Sequence, residues 1–230
     1  MHIFIIPDGN RRWANENNFP QREKHKKGME IFKTVAREIW TLKVSHFTFW
    51  GLSRDNFYNR DSQEISFLTF LLKNMVEEFL KSGELEKEKI YLRVIGRWKE
   101  FFDKELAGKI DELESRVACH KNGNKNLTLL LGYNGDDELV DAVNQLRIFT
   151  SDSNKISWRN IRNFLWTRFL PDIDIMIRTG YEPHLSAGAL MMQMKDAHLY
   201  FPQMHRPEFS IDELKKIISD FKNRKRRYGK

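Results

Sequence analysis

The order of hydrophobic patterns along the chain predicts an α/β fold: a central, largely parallel β-sheet flanked by helices. Short apolar, β-rich runs alternate with helical stretches of ten or more residues, the spacing that parallel crossovers require. No proline-, glycine- or serine-rich linker and no internal repeat interrupts the pattern, so residues 1–230 are expected to form a single domain. With 40% hydrophobic, 13% aromatic and 31% charged residues, the composition is that of a chain able to bury a full core. It is not that of a disordered tail, a collagen-like repeat or a disulfide scaffold.

Each element follows from a local pattern. Residues 3–6 form an apolar strand that stops at the turn Pro7-Asp8-Gly9-Asn10. This opening run lacks a basic flank and is too short for a leader, so it reads as a first strand. Residues 26–42 place Met29, Phe32, Ile39 and Trp40 on one helical face, and 46–51 alternate as a strand. Residues 63–81 carry a broad apolar stripe at helical spacing. A strand is expected over 90–95, a charged helix over 100–116, a turn at 121–126 and a continuous apolar strand over 127–131. A helix over 137–149, a loop over 150–155 and a helix over 157–169 follow. Strands at 173–177 and 198–201 and a helix over 211–227, capped by Ser210, complete the chain.

No apolar run approaches the ~20 residues needed to cross a bilayer, and the single cysteine, Cys119, cannot form an intramolecular disulfide. A cytoplasmic location is expected. The 39 Lys and Arg against 32 Asp and Glu leave a net charge of +7, which suits nucleic acid, a membrane surface or a small polyanion such as a diphosphate. The sequence shows no nucleic-acid motif and no basic stripe interleaved with stacking aromatics, so no nucleic acid is expected. Much of the excess lies in residues 222–230, which carry six cations. They form either a solvated helix end or a peripheral contact with anionic lipid.

In a parallel sheet, ligands bind beyond the carboxyl ends of the strands. The polar residues expected there are Asp8-Gly9-Asn10-Arg11-Arg12, Ser53-Arg54-Asp55-Asn56 and Arg178-Thr179-Gly180. They combine several cations with a strand-end carboxylate, a set that a diphosphate with a divalent metal requires. Asp8 could bind a hard cation such as Mg²⁺, with Asn10, Arg11 and Arg12 donating to the phosphates. The alternative is an ordinary Asp-Gly turn with surface arginines.

These residues carry a resemblance. Residues 6–14, Ile-Pro-Asp-Gly-Asn-Arg-Arg-Trp-Ala, resemble the signature of the cis-prenyltransferase (undecaprenyl diphosphate synthase) family. His25-Lys26-Lys27-Gly28 is similar to its His-x-x-Gly, and residues 50–57 to its Tyr-Ala-Phe-Ser-x-Glu-Asn-Trp. Gly132-Tyr133-Asn134-Gly135, Asp174 through Gly180, Leu199-Tyr200-Phe201 and Arg226-Arg227-Tyr228-Gly229 resemble further family motifs in the same order. The resemblance implies a homodimeric, Mg²⁺-dependent enzyme with a hydrophobic tunnel. Such enzymes join an allylic prenyl diphosphate to isopentenyl diphosphate.

The same resemblance implies the site. Asp8, Asn10, His25, Ser53 and Asn56 would be catalytic. Gly9, Arg11, Arg12, Trp13, Arg60, Arg178, His184 and Ser186 would bind substrate, and Asp8 and His198 would hold the metal. Phe67, Phe70 and Leu71 would line the tunnel, with plain core packing as the alternative for each. Gly51 stands where small residues leave the tunnel open.

Several positions depart from the family pattern. Arg11 replaces a glycine, Asp136 an arginine, Tyr181 a second glycine, His184 an arginine and His198 a glutamate, while Ala187 and Gly188 interrupt the expected Ser-Asn-Phe. Imidazole suits Mg²⁺ less well than a carboxylate does, and Asp196 is a possible substitute. The expected activity is therefore prenyl transfer to isopentenyl diphosphate or to a second prenyl diphosphate in irregular coupling. The alternatives are a terpene cyclase or prenyl diphosphate lyase on the same fold, or a non-catalytic partner subunit. Retention of Asp8, Arg12, His25 and Arg178 speaks against the last.

Overall fold

The computed structural model describes residues 1–149 and 156–224. In chain order the elements are β1 (His2–Ile6), α1 (Asn10–Glu16), α2 (Gln21–Glu38), β2 (His46–Leu52), α3 (Arg54–Asn59), α4 (Ser62–Ser82) and α5 (Glu84–Lys87). They continue with β3 (Tyr91–Ile95), α6 (Lys104–Arg116), β4 (Asn126–Leu131), α7 (Gly135–Phe149), α8 (Trp158–Phe164), β5 (Ile175–Arg178), β6 (His198–Tyr200) and α9 (Ile211–Asn223). A single 3₁₀ turn over Arg206–Glu208 precedes α9.

The six strands form one sheet in the order β3-β4-β2-β1-β5-β6, and every neighbouring pair is parallel. This is the expected fold class. All five residues of β1 are buried, because helices cover both faces and a central parallel strand must be apolar on each. Ile3 and Ile5 join the larger core cluster with α2, α4, α6 and α9. Phe4 and Ile6 face the second cluster, with Trp50, Tyr133, Met176 and Leu190.

From β1 the sheet grows in one direction through β2 and in the other through β5. The carboxyl ends of β1 and β5, side by side through the pairing of Ile6 with Arg178, therefore form a topological switch point. Crevices for ligands open at such points.

Element ends differ from the sequence expectations where side chains take over from periodicity. The helix expected over 26–42 begins at Gln21 and gives way to a 3₁₀ turn at Ile39. The charged helix begins at Lys104, because the Asp103 carboxylate accepts from the Leu106 amide at 2.7 Å as its cap. Asn10, the last residue of the expected turn, opens α1. The 150–155 loop and residues 225–230, including the last family motif and most of the basic segment, lie outside the described residues. Among the described residues no helix is long and apolar enough to cross a membrane.

Candidate active site

The switch point is built by glycine. Gly9 has φ +98°, and a Cβ there would come within 2.5 Å of His205 Nδ1 and 3.0 Å of Gly180 Cα. Only glycine lets the turn after β1 press against the turn after β5. Thr179 fixes the two together: its hydroxyl donates to the Asp8 carbonyl at 2.8 Å and lies 3.0 Å from the Asp8 amide. The Arg206 amide donates to the same carbonyl at 3.0 Å.

The Asp8 side chain, about one-third exposed, is thereby aimed at cations. Its Oδ1 accepts from the Gly9 amide at 2.6 Å. Its Oδ2 accepts from Arg178 Nη2 at 2.7 Å and lies 3.3 Å from Arg12 Nη2. Arg178 is buried, and its Nη1 donates to Ser186 Oγ at 2.7 Å while Nε finds no partner among the described residues. Arg12 also pairs with Glu182. One carboxylate is thus held between two guanidinium groups, with a hydroxyl beside the buried one.

A second group of polar residues lies where α2 and α4 approach the sheet. Nε2 of the buried His25 lies 3.0 Å from Glu64 Oε1, and the same oxygen accepts from Arg60 Nη1 at 3.1 Å. Burial lowers the Arg60 pKa, opposed by the Glu64 carboxylate and reinforced by the charge of Arg11. The Asn10 Oδ1 atom is buried without a partner among the described residues. It fits because residue 28 is glycine, where a Cβ would stand 3.0 Å from it.

Asn10, His25 and Arg60 all line one cavity of about 120 Å³. Apart from Arg206, its remaining wall is apolar and includes Met29 and Phe32 from α2, Leu68, Leu72 and Met75 from α4, and Phe49, Leu129 and Leu131 from the sheet. Gly51 also lines it, and a Cβ there would reach within 2.7 Å of Leu131 Cδ2. A side chain at this position would push against Leu131, which also lines the cavity.

Other expected site residues also have roles in the fold or lie at the surface. Ser53 and Asn56 form a reciprocal capping box at the start of α3, each accepting from the other's amide, at 3.1 and 3.2 Å. Trp13 is a core residue, stacked on Phe19 at 5.0 Å with Lys27 over its ring. Arg11 and His184 are exposed. Of the expected tunnel residues, Phe70 is 54% exposed and stacks on Phe67. The cavity instead takes the neighbouring stripe of Leu68, Leu72 and Met75.

His198 does not meet Asp8 in this chain. It registers with Ile175, which registers with Ile3, so Asp8 lies five residues further along, about 16 Å at strand rise. The His198 ring instead packs edge-on against Phe221 at 5.0 Å. Asp196 is exposed beside Lys195. Among the described residues no three His, Cys, Asp or Glu side chains cluster as a metal cage.

Two site residues escaped the sequence reading. His205 and Arg206 are 2% and 1% exposed, yet no spacing or turn pattern marks them. They reach the corner only because the 3₁₀ turn docks against the end of β1.

Comparison with known proteins places this architecture. The undecaprenyl diphosphate synthase family model, a prenyltransferase family, matches residues 6–229. An isoprenyl transferase of Clostridium acetobutylicum is 34% identical over 99% of this chain and 89% of its own. A tritrans,polycis-undecaprenyl-diphosphate synthase (GGDP specific) of Sulfolobus acidocaldarius is 31% identical over 100% of this chain and 87% of its own. The crystal structure of lavandulyl diphosphate synthase from Lavandula x intermedia, in complex with dimethylallyl diphosphate, superposes with a TM-score of 0.90 at 24% identity, covering 100% of this chain and 98% of that one. That of a probable undecaprenyl diphosphate synthase from Campylobacter jejuni superposes with a TM-score of 0.78 at 25% identity, with the same coverage. The chain belongs to the undecaprenyl diphosphate synthase family and is a prenyl transferase.

Proposed function

From that membership we propose that the chain transfers the prenyl group of an allylic diphosphate to isopentenyl diphosphate or to a second prenyl diphosphate, releasing diphosphate. The observation that carries this reading is the Asp8 carboxylate at the switch point, held between Arg12 and the buried Arg178. Ionisation of an allylic diphosphate builds negative charge on the leaving oxygens, and fixed cations stabilise that charge most when they need not reorganise. The contact of Arg12 with Asp8 sets one such cation beside the leaving group, and the bonds of Arg178 to Ser186 and Asp8 fix a second cation for the acceptor diphosphate.

In this reading Gly9, Asn10, Arg11 and Arg12 hold the leaving diphosphate, while Arg178 and Ser186 hold the diphosphate of the acceptor. The prenyl tail enters the apolar cavity past Asn10, His25 and Arg60. The departing C–O bond leaves its electron pair on diphosphate, the acceptor alkene attacks the allylic cation, and the acceptor loses a proton. His25, braced by Glu64, faces the cavity mouth where the diphosphate enters.

The donor set fits Mg²⁺ only jointly with substrate. Among the described residues Asp8 offers one carboxylate at the strand end, with Glu182 engaged by Arg12, and Mg²⁺ is commonly bound by one or two carboxylates completed by phosphate oxygens. When bound, the ion neutralises charge on the leaving diphosphate.

Exposed apolar residues at the carboxyl end of α7 and the start of α8, among them Ile148, Phe149 and Trp158, support a homodimer through that end. Light scattering of the purified chain tests it, a monomer counting against. The basic residues 224–230 support a peripheral membrane contact, and their removal should abolish binding to anionic liposomes.

The test of function pairs dimethylallyl, geranyl or farnesyl diphosphate with and without isopentenyl diphosphate, in the presence of Mg²⁺. A new prenyl product and released diphosphate are expected. Consumption of one diphosphate without an acceptor would identify a cyclase or lyase instead. Asp8→Ala should lower kcat by about 10³-fold or more, as expected for a group acting on transition-state charge.

A further inference from the structure

Glu138, in the first turn of α7, is a carboxylate that the proposed mechanism does not use. It is 2% exposed, and neutral donors hold both of its oxygens. Oε1 accepts from the Thr167 amide and hydroxyl, each at 2.7 Å, and Oε2 accepts from the Tyr133 hydroxyl at 2.5 Å. Gln193 Nε2 donates to Thr167 Oγ1 at 2.7 Å. Burial raises the Glu138 pKa against the pull of these bonds. Burial and the facing carboxylate push the Tyr133 pKa well up, so Tyr133 keeps its hydrogen.

The network ends on a segment that carries a site residue. The Leu190 amide donates to the Tyr133 hydroxyl at 3.3 Å. Leu190 is fully buried at φ +51°, and Ala187 and Gly188 also have positive φ, at +44° and +58°. Such backbone is strained for a residue with a side chain and persists only where its surroundings fix it. Here the Gly135 amide, at the start of α7, donates to the Ala187 carbonyl at 2.8 Å, and the Ala189 amide to the Ser186 carbonyl at 3.0 Å. Residue 135 must be glycine for that approach, since a Cβ there would overlap the Gly188 carbonyl oxygen. Ser186, whose Oγ accepts from Arg178 Nη1 at 2.7 Å, therefore opens a loop held from behind by α7 and Tyr133.

The carboxylate sets the polarity of this chain of bonds. An ionised carboxylate only accepts. It draws the Tyr133 hydrogen toward itself and leaves the hydroxyl lone pairs to receive the Leu190 amide. We infer that Tyr133, oriented by Glu138, is a positioning residue for the acceptor diphosphate: it holds the 186–190 loop so that Ser186 stays on Arg178. The inference rests on the reading above, in which Arg178 and Ser186 bind the acceptor. The donor diphosphate is held, in that reading, by residues 9–12 after β1, so the two substrates should respond differently.

Calorimetry on the purified chain with Mg²⁺ tests this. Dimethylallyl thiolodiphosphate, which does not ionise readily, reports the donor site. Isopentenyl diphosphate titrated into that complex reports the acceptor site, and a second equivalent of the thiolodiphosphate replaces it if the wild type couples two allylic groups. Tyr133→Phe leaves the buried Leu190 amide without its acceptor. It should weaken acceptor binding by about tenfold or more and donor binding by less than about twofold. Glu138→Gln should act in the same direction. Its carbonyl oxygen must stay on the Thr167 amide, so its NH₂ faces Tyr133 and turns the phenolic hydrogen toward the Leu190 amide. His2→Asn, at the opposite end of the sheet, controls for lost stability and should leave both affinities as in the wild type. Unchanged acceptor binding in a folded Tyr133→Phe overturns the inference, as does equal weakening of donor and acceptor. If Tyr133→Phe does not fold, Glu138→Gln decides by the same two criteria. Ser186→Ala separates the two levels: wild-type acceptor binding there would remove the acceptor site proposed above, and this inference with it.

Discussion

His2, at the amino-terminal end of the sheet, and the switch point at its carboxyl end treat buried polar groups in opposite ways. At the amino-terminal end, His2 Nδ1 contacts the Pro171 carbonyl at 3.0 Å, Nε2 contacts Thr48 Oγ1 at 2.9 Å, and the His2 amide donates to Asp174 at 2.9 Å. Both ring nitrogens are satisfied within the chain. At the carboxyl end, Asn10 Oδ1, Arg60 Nε, Arg178 Nε and the whole guanidinium of Arg206 are buried without partners among the described residues. Native interiors rarely tolerate such groups without a reason. The closed network stabilises the fold, whereas the open one is suited to a polar or charged ligand.

If that contrast is sound, substitutions at the two ends should separate activity from stability. After Asp8→Ala, the largest effect is expected at Arg178. Arg178→Ala releases Asp8 and Ser186 together and should lower kcat/KM by about 10²–10³-fold, measured with the allylic donor and acceptor that the wild type uses. Far-ultraviolet circular dichroism should stay native, and a wild-type rate would break the comparison at its functional end.

His2 should show the reverse. Burial lowers its pKa to about 4, so the folded protein holds it neutral while the unfolded chain protonates near pH 6.5. Its contribution is fully present above that pH and is lost as pH falls towards 4, a swing of up to about 3 kcal/mol. Urea unfolding across this range should reveal the decline, and His2→Asn should flatten it while leaving turnover at pH 7.5 within about twofold of wild type. An equally steep decline in the variant would move the cause to other groups.

Much of this division was legible in the sequence. The strands were readable because parallel strands buried on both faces are continuous apolar runs, as at 127–131. The corner was readable because Asp8 and Arg178 end strands, and the resemblance gave their neighbourhood in order. Three things were not. The stripe on α4 is too broad for periodicity to say which of its residues meet the cavity, so Leu68, Leu72 and Met75 cannot be told from Phe67, Phe70 and Leu71 by spacing. The partnership of Ser53 with Asn56 looks the same whether it serves a ligand or a helix end. Arg206 arrives through tertiary docking of a turn nearly two hundred residues from Asp8, which no local pattern encodes.

The smallest effect sharpens the second of these. Ser53→Ala removes one half of the capping box and should cost about 1 kcal/mol of stability in thermal unfolding, with kcat near wild type. A loss of kcat by a hundredfold without loss of stability would put Ser53 in the catalytic machinery as well as in the cap.

The most direct measurement of the central claim is a crystal structure of the chain with dimethylallyl thiolodiphosphate and Mg²⁺. The thiolodiphosphate should lie against Gly9, Asn10 and Arg12, with the metal on Asp8 and the five-carbon tail beside Leu72 and Met75. A thiolodiphosphate bound elsewhere, with Asp8 still paired to Arg178 and touching neither metal nor phosphate, would contradict it.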